Sequence, residues 1–126
     1  MNDINNREDL LLLMRKFYNK LLTDDSISYI FTEVAKIDLE AHLPHLADFW
    51  EQTLLHTGSY KKNVLQLHLD LDAKESLTTE HFNTWLQYFD QTVTENFTGE
   101  NAELIKTRAL SIATIMQIKI SQKNNN

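Results

Sequence analysis

Residues 78–99 read TTEHFNTWLQYFDQTVTENFTG. Phe82, Trp85, Leu86, Phe89, Val93 and Phe97 fall within one helical stripe, Thr78 or Thr79 offers a capping oxygen at its start, and Gly99 stops it. An amphipathic helix with so many rings on one face needs other apolar helices to cover it. Working outward, Asn101 is a plausible cap for a last helix with Ala102, Ile105, Ala109, Ile112, Ala113, Met116 and Ile120 facing inward. Residues 121–126 read as a frayed tail, as do residues 1–8. Upstream, Leu10, Leu13, Met14, Phe17, Leu21 and Leu22 share another helical face, with Tyr18 at its edge. Asp24, Asp25 and Ser26 offer caps for a short turn carrying Ile27, Ile30 and Phe31. Asp38 caps a helix whose inner face is Leu39, Leu43, Leu46, Phe49, Trp50, Thr53 and Leu54. Pro44 lacks an N–H, so that helix either begins near His42 or is kinked at the proline. Gly58 ends it. Leu65, Leu67, Leu69 and Leu71 alternate with other residues, but a lone strand has no partner here, so residues 59–76 read as a loop with a short helical segment.

Composition agrees. The chain has 126 residues with only two Gly, one Pro and no Cys, which fits one all-α domain spanning 1–126 and excludes disulfide, thiolate and sulfur–metal chemistry. Scarce glycine also removes phosphate-binding and dinucleotide loops, leaving any site to be built from side chains on helices. A net charge of −6, with no clustered basic face, argues against nucleic acid and anionic membranes as partners. The polar start and the short apolar runs give neither a signal peptide nor a membrane span, so the expected location is cytoplasmic.

Familiar catalytic patterns are missing. None of His42, His45, His56, His68 and His81 has Glu three residues before it, so the di-iron bundle motif is absent, and the helical zinc-protease signature is absent too. No Gly-x-Ser-x-Gly turn exposes a serine. Two histidines keep unusual company. His42 opens the helix that carries Phe49 and Trp50, and His68 stands among four alternating leucines.

The ordered set Phe17-Tyr18, Ile30-Phe31, His42-Leu43-Pro44, Asp48-Phe49-Trp50, Tyr60 with Asn63, His68, His81-Phe82 and Trp85-Leu86 resembles the group III truncated haemoglobins, over about Leu10 to Met116. The absence of the glycine pairs of groups I and II points the same way. The resemblance implies a truncated globin-like helical sandwich enclosing haem b, with His68 as the iron ligand. Its second ring nitrogen would then donate to a carbonyl or carboxylate. It places Tyr18, His42, Leu46 and Trp85 on the distal side, where Tyr18 O–H and Trp85 N–H are donors toward a polar diatomic ligand. For His42 three roles stay open: donating to the ligand, gating its entry, or swinging out to solvent. Phe31, Leu46, Phe49 and Trp50 would line the cofactor, and Tyr60, Lys61 and Lys62 would meet its propionates. Where relatives often carry Gly and Pro, this chain has Lys62 and Val64.

The implied function is binding of O2, NO or CO at haem iron. Several donors in one pocket also suit NO dioxygenase or peroxidase-like turnover, which would draw on a reductase that the sequence does not identify. The competing reading is a haem-free helical interaction module with an acidic surface.

Overall fold

A computed structural model describes residues 1–34, 36, 38–55 and 77–124, and every regular element among them is helical. Helix α1 spans Arg7–Leu22, α2 Asp25–Tyr29, α3 Leu39–Trp50, α4 Thr79–Asn96 and α5 Glu100–Asn124. Two π-helical turns, Ile30–Val34 and Glu51–Leu55, extend α2 and α3. The segment read as a loop with alternating leucines lies outside the described residues.

Four of the five helices start where the sequence offers a local oxygen or where its stripe begins. Asn6, Asp24, Asp38 and Thr78 each accept a backbone N–H in the first turn of the helix that follows, satisfying donors that have no intrahelical partner. Helix α3 begins at Leu39, not near His42, and takes Pro44 in its second turn. The missing N–H deprives the Glu40 carbonyl of its usual donor, while the Pro44 carbonyl accepts from Arg7 at 3.3 Å.

The start of α5 departs from the expected local cap. Its capping oxygens come from Asp3, whose carboxylate accepts the Asn101 N–H at 2.9 Å and the Ala102 N–H at 2.8 Å. The Asn101 side chain instead donates to the Ile4 carbonyl at 2.7 Å. Residues 2–5 are therefore pinned rather than frayed, and Ile4 is fully buried. At the other end the helix continues to Asn124, through residues read as a tail.

Helix α1 is the central element, packing on α3 and α4, while α5 packs on α4. Its stripe of Leu10, Leu13, Met14, Phe17 and Leu21 is almost wholly removed from solvent, each side chain contributing about 1.5–3 kcal/mol of apolar burial. Phe89 and Val93 from α4 and Ile105 and Ala109 from α5 close the same core. Ion pairs brace the periphery. Arg7 bridges Asp48 and Glu51 at the end of α3, Arg15 meets Glu40, and Lys20 meets Glu95 of α4. The buried stripe of α1, with these pairs at its margin, sets the rotation of the helix and so the directions of its two central rings.

Candidate functional site

Phe17 and Tyr18 are successive residues, so their side chains leave α1 about a quarter-turn apart. Phe17 goes toward α4, with ring centroids 5.4 Å from Trp85 and 5.2 Å from Phe89, both edge-on. Tyr18 goes toward the other wall. Its ring lies 5.5 Å from Phe31 on the first π turn and 5.8 Å from His42 on α3. The geometry thus brings Tyr18, Phe31 and His42 into direct contact, and places Trp85 one ring further on, across Phe17.

Tyr18 is only 6% exposed. Burial pushes its phenol pKa well up, because the charged form cannot be solvated there. It therefore stays protonated, with a hydrogen to give. Among the described residues its hydroxyl has no hydrogen-bond partner, and yet no fully enclosed side-chain N or O atom among them is left unsatisfied. The hydroxyl oxygen is consequently not fully enclosed by the described residues.

Leu46, one turn beyond His42, and Phe31, Phe49 and Trp85 all pack on the core but keep part of their surface accessible. Trp85 stacks on Phe89 at 5.3 Å and 15°, and its indole N–H likewise makes no hydrogen bond to another described residue. Trp50 lies deeper, 3% exposed, against Phe49 at 5.0 Å and Phe89 at 5.6 Å. It forms the floor beneath Phe49 and makes no ring contact with Tyr18 or Phe31. His68, Tyr60, Lys61 and Lys62 lie outside the described residues.

Two polar links near this site were not anticipated from sequence. Tyr29 Oη is 3.2 Å from His81 Nε2, and Tyr88 Oη donates to Asp24 at 2.6 Å. For the first, capping-box spacing marks the His81–Thr78 pair but not Tyr29 as a partner. The second joins residues 64 apart, and nothing local marks it. Among the described residues no three His, Cys, Asp or Glu side chains converge as a metal site, and no helix is long and apolar enough to cross a membrane.

No protein-family model matches the chain. A group 3 truncated hemoglobin from Campylobacter jejuni is 30% identical over 115 residues, covering 89% of this chain and 88% of the relative. The crystal structure of a group III truncated hemoglobin from Campylobacter jejuni superposes with a TM-score of 0.83, at 28% identity and over 95% of each chain. The helical frame is thus shared along nearly the whole length, and the chain belongs to the group III truncated haemoglobins.

Proposed function

We propose that the protein binds haem b beside Tyr18 and holds a diatomic gas, O2, NO or CO, in the space that the Tyr18 hydroxyl faces. The observation that carries this reading is the Tyr18 side chain itself. A buried phenol with a retained proton and no partner among the described residues costs stability unless a ligand uses it.

The residues present fit the cofactor. Phe31, Leu46, Phe49 and Trp85 each leave apolar surface uncovered while seated on the core, which suits a flat apolar macrocycle. When bound, haem supplies an iron centre for the gas, and the protein supplies orientation and electrostatics. His68 is the side chain assigned to the iron. Tyr60, Lys61 and Lys62 are assigned to the propionates, and Trp50 to the floor under Phe49.

On the ligand side, Tyr18 O–H and Trp85 N–H donate toward the negative end of a polar diatomic molecule, which lowers its escape rate. Leu46 excludes water from the same space. His42, in edge contact with Tyr18, holds the phenol ring in place. More than one donor around a small ligand also suits redox turnover of that ligand, with electrons delivered by a reductase.

The test is spectroscopic. Protein purified with haem supplied is expected to show an intense Soret band that shifts when the ferrous form meets CO. Colourless protein that ignores added haemin would overturn the reading in favour of a helical interaction module. His68→Ala is expected to abolish stable ligation of the iron, and full haem retention by that variant would remove His68 from its role.

A further inference from the structure

His81 makes three polar contacts at the start of α4, two of them through its ring. The Thr78 hydroxyl accepts the His81 backbone N–H at 3.2 Å, and His81 Nδ1 accepts the Thr78 backbone N–H at 3.1 Å. This is a capping box in which histidine stands where Glu or Gln is usual. Nδ1 accepts only while it carries no proton, so the neutral ring holds its hydrogen on Nε2. That hydrogen points to Tyr29 Oη, 3.2 Å away.

The two linked residues belong to the elements that present the two flanking rings of the site. Tyr29 is the last residue of α2, two before Phe31. His81 is four before Trp85, one turn away on the same face of α4. Phe31 packs on Tyr18 and Trp85 on Phe17. Helix α2 has five residues, too few to hold an orientation by its own backbone bonds, so its docking on α1 and α4 sets where Phe31 sits. It is fastened at both ends. Tyr88 holds Asp24 at the residue before α2, and His81 holds Tyr29 at its last residue.

We propose that the Tyr29–His81 hydrogen bond is a positioning contact, setting the spacing between Phe31 and Trp85 across the Phe17–Tyr18 pair. Its effect on ligand escape rests on the haem-pocket reading above, whereas the contact itself does not. Tyr29→Phe keeps both rings and the cap and removes only the link. His81→Gln keeps a capping side chain and removes the imidazole.

In the haem-loaded protein each substitution is expected to change the CO dissociation rate by about threefold to tenfold, the rate equivalent of one neutral hydrogen bond. The double variant is expected to change it no further than the larger single effect, because one link is broken once. Additive effects, or an unchanged rate in Tyr29→Phe, would overturn the proposal. Nitrogen-15 NMR of the protein as purified gives a readout that needs no haem. The His81 ring is expected to be bare at Nδ1 and protonated at Nε2, and the Trp85 indole N–H resonance to move in Tyr29→Phe. A ring protonated at Nδ1, or an unmoved indole resonance, would also overturn the proposal. Failure of the haem reading shows separately, as a missing Soret band.

Discussion

The junction of residues 2–5 with α5 and the pocket around Tyr18 use the same kinds of polar group in opposite ways. At the junction everything is spent internally. Asp3 takes N–H bonds from Ile4, Asn101 and Ala102, the Asn101 amide takes the Ile4 carbonyl, and the Thr98 N–H meets the Asn2 carbonyl at 3.0 Å. At Tyr18 and Trp85, donors sit among rings without a partner from the described residues. A polar group answered within the chain adds stability, whereas one left unanswered in an apolar setting lowers it and is available to a ligand. Substitutions at the two places should therefore separate stability from ligand retention.

The largest stability effect is expected at Gly99. Its φ of +136° is a conformation that side chains rarely adopt, and a Cβ there would come within 2.5 Å of Asp3 Cγ. Gly99→Ala combines backbone strain with a displaced cap and is expected to cost about 3 kcal/mol in urea denaturation, with the ligand dissociation rate of the survivor unchanged. A variant as stable as the parent would break the comparison. Asp3→Ala comes next, at about 1–2 kcal/mol for a lost helix cap. Burial opposes the charge on Asp3, but the N–H bonds from Asn101, Ile4 and Ala102 outweigh it and hold the carboxyl below its ordinary range. A depressed folded pKa means that this stabilisation is present above the unfolded carboxylate pKa, about 4, and is lost as pH falls further. The gap between parent and Asp3→Ala should accordingly close below about pH 4.

These two residues also mark what the sequence does not reveal. Stripes such as Leu10–Leu13–Met14–Phe17–Leu21 and caps such as Asp24, Asp38 and Thr78 are legible because helix periodicity and capping act over three or four residues. Asp3 caps a helix that begins 97 residues later, so no local pattern announces it, and a polar N-terminus with Ile4 as its one anchoring apolar side chain reads as loose. The π turns at 30–34 and 51–55 are equally silent, since a single extra residue per turn leaves no compositional trace. At the site, periodicity reads Tyr18 only as the edge of a stripe, and its distal placement comes from the family resemblance alone. Its near-total burial beside Phe31 and His42 depends on how α1 is rotated, and ion pairs from Arg7, Arg15 and Lys20 to distant elements contribute to that rotation.

Tyr18→Phe should have the smallest effect on stability and sharpen the comparison most. It removes a hydroxyl without a partner among the described residues, so near neutral pH the variant is expected to be at least as stable as the parent. Alkaline titration supplies the sign. Burial raises the Tyr18 pKa in the folded protein, so above about pH 10 the unfolded phenol gives up its proton while the folded one keeps it, and parent stability falls as pH rises. The phenylalanine variant lacks that contribution and should gain on the parent through this range. Ligand retention should move much more, with O2 dissociation from the haem-loaded variant faster by about tenfold, the equivalent of one hydrogen bond near 1.4 kcal/mol. An unchanged dissociation rate would transfer the donor role to Trp85. A large loss of stability would mean instead that the hydroxyl is spent inside the protein, as the polar groups around Asp3 are.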